Sequence, residues 1–502
     1  MRCLLAFFLL TIVIPACQKQ SEHGGDRSGS DTLILTRKSD TTYNVIFILS
    51  DDHRYDFMGF TGKVPWLETP SLDMIAREGC HIRNAFATTA LCSPSRASIL
   101  TGLYSHTHKV VDNQAPIPEG LVYFPQYLQK AGYQTAFFGK WHMGDADDMP
   151  QPGFDHWESF RGQGEYYNPE LNIDGQRKKY GDSTYITDLL TGHALDWLNN
   201  RDKNKPFFLY LSHKAVHAMF QPAQRHKGKY QNEKILYPPS YNLTASDEYK
   251  KRRIPEWVKQ QRYSWHGVDY MYHGQFSFES FFKAYCETLK GIDESAGRLI
   301  QFLTESGLLE NTVVFYMGDN GFSFGEHGLI DKRHAYEESW RVPLLVYGSG
   351  LISPGSTTDR LIQNVDIAPT ILELAGLQPP TYMQGKSFLP ILRGANPAGW
   401  RDKIFYEYYW EYDYPQTPTM HAVRSERYKF IRYNGIWDTN EFYDLQNDPW
   451  EMNNLIASPE HQEMIREYVG DLWTWLETTG GMQVPLKRIM HAKGDHRDKG
   501  SY

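Results

Sequence analysis

The feature that most constrains this chain is a set of short, unbroken apolar runs rich in β-branched and aromatic residues. Asn44-Val45-Ile46-Phe47-Ile48-Leu49 is the first, and Thr135–Phe138, Phe207–Leu211, Thr312–Tyr316 and Val342–Val346 follow. A strand with one wet face alternates apolar and polar residues. A strand without alternation is buried on both faces, as in a parallel sheet covered by helices. Between the runs, Ser71–Glu78, Phe124–Lys130, Ile186–Asn199 and Phe281–Ser306 carry helical patterns. Strand and helix in alternation predict an α/β fold, a doubly wound, mostly parallel sheet flanked by helices.

The chain has 502 residues, room for one large α/β domain with an appendage. The appendage begins near Gly394, where the pattern changes. Lys403–Tyr409, Ala422–Ile431 and Glu441–Leu445 read as antiparallel strands, and Ser458–Glu477 as a last helix. That predicts a smaller C-terminal α+β domain with an antiparallel sheet. Lys227–Phe276 is polar, aromatic and weakly periodic, an insertion or a lid over a site.

At the other end, Met1-Arg2 and the apolar run Leu4–Ile14 form a secretory signal. Its end, Ile14-Pro15-Ala16-Cys17, resembles a bacterial lipobox, which implies lipidation of Cys17, with simple cleavage as the alternative. Residues 18–30 are a polar tether. The expected division is 1–16 signal peptide, 17–40 lipidated cysteine and tether, 41–392 main catalytic domain, 393–490 C-terminal sheet plus helix, and 491–502 tail. No later run reaches the ~18 apolar residues of a membrane span. The expected location is therefore an exported bacterial lipoprotein of the periplasm, outer membrane or cell surface, held to the membrane by lipid alone. A net charge of −8 lacks the basic excess of a nucleic-acid binder, so no nucleic-acid partner is expected. Five cysteines are too few for a disulfide scaffold, though Cys80 and Cys286 are left open as free or bridged.

Chemistry-bearing residues cluster after the apolar runs. Asp51-Asp52-His53 follows the first strand and Asp319-Asn320 the fourth. Ligand sites in open α/β sheets lie at such strand ends. Each pair alone reads as a polar turn, but two strand ends presenting oxygen donors suit a hard cation, calcium or magnesium. In Leu91-Cys92-Ser93-Pro94-Ser95-Arg96, Ser93 reads as an N-cap, Pro94 as the first helical residue and Gly102 as the stop. Cys92 then precedes a helix N-terminus, a setting that favours anions, with Arg96 one turn in. Taken alone, this is equally a helix start with a small buried cysteine.

Cys92-Ser93-Pro94-Ser95-Arg96 followed by Thr101-Gly102 resembles the sulfatase signature. In that family, of alkaline-phosphatase-like fold, the cysteine is oxidised to formylglycine by a maturation enzyme. The aldehyde hydrates to a gem-diol: one hydroxyl attacks sulfur to give a sulfoenzyme intermediate, and the second expels sulfate. Gly139-Lys140-Trp141-His142-Met143-Gly144, Ser212-His213-Lys214-Ala215-Val216-His217 and the stretch around Lys332 resemble further motifs of the family, in order. The resemblance implies Asp51, Asp52, Asp319, Asn320 and modified Cys92 as ligands of one Ca2+, with Mg2+ the lesser alternative and no organic cofactor. It implies Arg96 beside the nucleophile and Asp319 as proton acceptor. Lys140 and Lys332 would bind sulfuryl oxygens, His142 would assist release, and His217 would be the general acid, with His213 as substitute. His53, Asp145, His327, Arg333 and His334 flank these motifs and are candidate sugar contacts.

The expected activity is sulfate monoester hydrolysis on a sulfated carbohydrate: an algal polysaccharide such as ulvan or carrageenan, or a glycosaminoglycan. A formylglycine-dependent phosphodiesterase or phosphonate hydrolase, and an inactive glycan-binding homologue, are the alternatives.

Overall fold

The structure, a computed structural model, describes residues 42–483 apart from 145–146 and 249–251, together with 33, 36 and 37. Cys17, the expected N-terminal signal and Asp145 lie outside the described residues. Ten strands form the main sheet, in the order Ser356–Thr358, Cys80–Ile82, Leu344–Gly348, Thr312–Gly318, Asn44–Ser50, Phe207–Ser212, Gln134–Lys140, His156–Phe160, Glu170–Ile173, Gln176–Lys179. The central five, from Thr312–Gly318 to His156–Phe160, are parallel to one another. The apolar runs are these strands, and Asn44–Ser50, Phe207–Ser212 and Thr312–Gly318 are buried along their whole length.

One run departs from the parallel expectation. Leu344–Gly348 pairs antiparallel with both Thr312–Gly318 and Cys80–Ile82. Unbroken apolarity reports burial on both faces, and burial does not fix strand direction. Helices cover the sheet as the periodicity predicts: Pro70–Glu78, Pro125–Lys130, Ile186–Asn200 and Phe278–Glu305. The last is longest, and Ser277 caps it by accepting from Ser280 N.

The C-terminal strands Lys403–Tyr408, Thr419–Ser425, Tyr428–Asn434 and Glu441–Asp444 form an antiparallel sheet. Alternation divides its two faces. Ile404, Tyr406, Tyr408, Met420, Ala422 and Ile431 pack with Phe86, Leu91 and Trp340. Val423, Phe430 and Phe442 pack with Ile465, Leu472 and Trp475 of the final helix Gln462–Thr479. The small sheet therefore seals apolar surface of the main body, just before the helix that carries Cys92. Cys80, Cys92 and Cys286 are each free and buried. Among the described residues no helix is long and apolar enough to cross a membrane.

Candidate active site

Four parallel strands end in register at one edge of the sheet. Ser50 pairs with Gly318, and Ser212 with both Leu49 and Gly139. The residues after each strand, Asp51-Asp52, Asp319-Asn320, His213 to His217 and Trp141-His142, therefore emerge side by side. Backbone bonds knit them together: Asp51 N donates to Ala215 O at 2.9 Å, and Asp319 N to Ser50 O at 3.0 Å.

The helix Cys92–Thr101 brings the thiol to this edge. Its N-cap is Leu91 and its C-cap Gly102 is left-handed, with φ 69°. The helix starts two residues earlier than the serine-cap reading, and the Ser93 side chain is used elsewhere. Ser93 Oγ donates to the His142 carbonyl, and Ser93 N donates to Asn113 Oδ1 at 3.1 Å. Cys92 Sγ lies 3.4 Å from Asp51 Oδ1 and 3.3 Å from Lys332 Nζ.

Arg96 ties three strand ends together. It donates from Nε and Nη2 to Asp319 Oδ2 at 3.0 and 2.8 Å, and from Nη1 to Lys140 O at 2.7 Å and Ser212 Oγ at 2.6 Å. Asp319 Oδ1 accepts from Asp52 N at 3.0 Å and Asn320 N at 2.8 Å. Both Asp319 oxygens are thus engaged, and the carboxylate in contact with the Cys92 sulfur is Asp51. Lys140 Nζ pairs with Asp51 Oδ2, and Lys332 Nζ with Asp52 Oδ1.

His217 Nδ1 lies 2.6 Å from Ala218 O, which can only accept, so Nδ1 carries the proton. Its Nε2 is then the atom 3.8 Å from Asp52 Oδ2. His142 has a buried Nδ1 with no hydrogen-bond partner. His213 turns elsewhere, with Nε2 3.0 Å from Ser295 Oγ on the long helix, so the substitute role has no geometric support.

Asp51, Asp52 and Asp319 each offer a carboxylate oxygen within 4.8 Å of the others, and Asp51, Cys92 and His217 make a second such group. Asp52 Oδ2 and Asn320 Oδ1 are buried without a hydrogen-bond partner. Buried oxygens are normally satisfied. Three carboxylates and an amide oxygen with lone pairs to spare fit a hard divalent cation.

Burial opposes ionisation of the acids, and neighbouring charges decide the outcome. Burial acts to raise Asp51, but Lys140, His217, Arg96 and Lys332 together hold it well below the usual carboxylate range. Burial raises Asp52 to about 7 against the pull of Lys332, and raises Asp319 with help from the Asp51 charge. The Cys92 thiol is pushed up to about 12 by burial and by Asp51. Burial and Lys140 hold His142 and His217 well below the ordinary imidazole value, so both are neutral.

The candidate sugar contacts fare differently. His53 is fully buried, with Nδ1 2.6 Å from Tyr316 Oη and Nε2 2.9 Å from Phe57 O, and has no ring atom left for a sugar. His327 stacks on Tyr336 at 4.2 Å, whose hydroxyl donates to Glu441 of the C-terminal sheet. His334 Nε2 lies 2.9 Å from Ser323 Oγ. Arg333 donates to Asp331 Oδ2 at 2.7 Å and Glu411 Oε1 at 2.9 Å, and stacks over Tyr414 at 3.5 Å. Two site neighbours escaped the sequence reading. Gln163 accepts from Lys140 Nζ at 2.5 Å, from a loop without any motif. Lys214 donates to Gln163 O at 3.0 Å, and burial with the Lys140 charge lowers it to about 8. Its place within the segment Ser212 to His217 was the available signal.

Comparison with known proteins agrees with this geometry. The family model described as Sulfatase matches residues 43–377, and the model described as N-sulphoglucosamine sulphohydrolase, C-terminal, matches residues 325–477. The chain is 35% identical over 512 residues to the N-acetylglucosamine-6-O-sulfatase of Bacteroides thetaiotaomicron, covering 90% of each. It is 34% identical to the human N-acetylglucosamine-6-sulfatase, covering 90% of this chain and 85% of that one. The solved structure of BT4656 in complex with its substrate D-glucosamine-2-N,6-O-disulfate superposes with a TM-score of 0.77 at 33% identity, covering 88% of this chain and 99% of that one. The chain is an enzyme of the sulfatase family.

Proposed function

We propose that the protein removes the 6-O-sulfate of glucosamine-type residues in glycosaminoglycan fragments, using a formylglycine made from Cys92 by a maturation enzyme. Relatives similar over nine-tenths of the chain carry that activity in their names, which favours glycosaminoglycans over algal polysaccharides. The observation that carries the reading is the environment of Cys92. A thiol held near pKa 12 and wedged between Asp51 and Lys332 is a poor nucleophile at neutral pH. The same pocket suits an oxidised, hydrated side chain, whose hydroxyls can donate to a carboxylate and accept from an ammonium.

In this reading Asp51, Asp52, Asp319 and Asn320 hold a divalent cation, Ca2+ being the first choice, which when bound supplies positive charge for the sulfate oxygens. Arg96, fixed by four hydrogen bonds, keeps Asp319 oriented and charged. Lys140 and Lys332 bind the sulfuryl oxygens, a preorganised electrostatic role. Asp51 Oδ1 is the first oxygen to meet a proton released at position 92. His217 presents an unprotonated Nε2 to the site; with the anionic sulfate ester bound beside it, Nε2 takes up a proton from solvent and passes it to the departing sugar oxygen, the ring returning to its neutral form. His142 assists sulfate release. The N-terminal segment supports export, with Cys17 as a lipid anchor.

The test is peptide mass spectrometry of active enzyme together with turnover of N-acetylglucosamine 6-sulfate, aryl phosphate and a phosphonate monoester. An aldehyde at position 92 and turnover of the sulfated sugar alone support the reading. Full activity with only thiol at Cys92, or a preference for the phosphorus esters, would falsify it.

A further inference from the structure

The loop between the first two strands of the C-terminal sheet, residues 409–418, contacts two segments that flank the active site. It is anchored on two sides. Asp413 accepts from Gln114, the neighbour of Asn113, and Asn113 binds the backbone of Ser93 next to Cys92. Glu411 and Tyr414 hold Arg333, the residue after Lys332. The loop therefore spans from the Cys92 side of the site to the Lys332 side.

Most aromatic rings in this molecule are buried, and those on the loop divide by position. Tyr414 is wrapped by Arg333, Trp265 and His266. Trp410 and Tyr412 are 39% and 51% exposed and stand edge to face, 6.4 Å apart. Trp410 is held in place, its Nε1 donating to Pro415 O at 3.2 Å and its backbone N to Thr419 Oγ1 at 2.9 Å. A run of ring contacts leads from Tyr414 through Trp265 and His273 to Tyr270, which is 49% exposed. Trp410 and Tyr412 are adjacent as well as exposed, and a contiguous apolar patch held in water is the kind of surface that binds a ligand.

We propose that Trp410 and Tyr412, with Tyr270 joined to the same loop through Tyr414, Trp265 and His273, form a second sugar subsite. It takes the pyranose ring joined to the sulfated residue. A pyranose presents axial C–H groups on one face, an apolar surface of about one aromatic ring, and its hydroxyls at the edge remain in water. The rings offer no cationic group for a further sulfate, so the subsite reads ring shape and not charge. Its continuity with Lys332 and Cys92 through Arg333 and Gln114 names the occupant as the neighbouring unit of the same glycan. This rests on the proposed reaction for the identity of the first sugar, but the binding surface itself does not depend on catalysis.

The experiment uses full-length Cys92→Ala protein, so that turnover does not intervene. Isothermal titration compares N-acetylglucosamine 6-sulfate with a heparan-type tetrasaccharide ending in the same residue. The tetrasaccharide should bind more tightly, and Trp410→Ala/Tyr412→Ala should remove that advantage, a change of about tenfold in the affinity ratio. Trp410→Phe should retain most of it, which separates stacking from loss of loop structure. A ratio near one in Cys92→Ala itself, or an unaltered ratio in the double variant, overturns the proposal. A length-dependent gain in a protein whose active form turns over no sulfated glucosamine would sink the proposed reaction and leave the subsite standing for another glycan.

Discussion

Lys332 Nζ lies 3.3 Å from Cys92 Sγ while it is ion-paired with Asp52. One ammonium thus touches both the atom to be modified and a carboxylate of the cation cluster. In the proposed reaction, a cation bound at Asp52 would compete with Lys332 for that carboxylate and release the ammonium toward sulfate.

Lys332→Ala should lower kcat and raise KM, with kcat/KM down about 100-fold, because sulfuryl oxygens gain charge in the transition state. Divalent-ion affinity should be undiminished, since the competing cation is gone. Steady-state kinetics and calorimetric titration with Ca2+ check the two halves. Weaker Ca2+ binding in this variant would contradict the exchange.

Chelation should abolish turnover and lower the melting temperature, and Ca2+ at 100 times its Kd should return about 3 kcal/mol of stability. Asp319→Ala should lose both responses. It should also destabilise the metal-free protein by about 3–5 kcal/mol, because buried Arg96 loses its main partner. Asp51, 3.7 Å from Arg96, is the carboxylate that remains. Thermal unfolding with and without Ca2+ is the measurement.

His217→Ala should depress sugar sulfate hydrolysis by about 10²–10⁴-fold. Loss on an activated aryl sulfate should be far smaller, since that leaving group departs without a proton. Parallel kinetics on the two ester types decide it, and equal losses would remove His217 as the acid.

Glu407 gives an acid-side stability test away from the cation cluster. Burial alone would raise it, but the His106 ring and the Tyr409 hydroxyl hold it down at about 2, against an ordinary value of 4.5. A depressed carboxyl adds stability that is complete above the unfolded value and lost as pH falls from about 4.5 through 2. The span amounts to about 3 kcal/mol. Glu407→Gln should flatten the stability profile over that window, measured by urea denaturation at stepped pH.

Much of the architecture and most of the site were legible in the sequence, because both are written in contiguous segments. The apolar runs at 44–49, 207–211 and 312–316 announce doubly buried strands. Each is followed directly by its functional residues, so strand and ligand are read together. Parallel strands then carry those residues to one edge whatever their order, which is why Asp51, Asp319 and Lys140 meet. Tertiary structure alone decided what depends on side-chain direction and on distant partners. His213 and His217 share one segment, yet one turns to Ser295 and the other to Asp52. His53 flanks the carboxylates but is consumed by Tyr316 and Phe57. The direction of Leu344–Gly348, the place of Gln163 beside Lys140, and the contacts of residues 409–418 with Gln114 and Arg333 are long-range pairings. A local pattern records how deeply a residue is buried, and it carries no information on which remote group fills the other side of the contact.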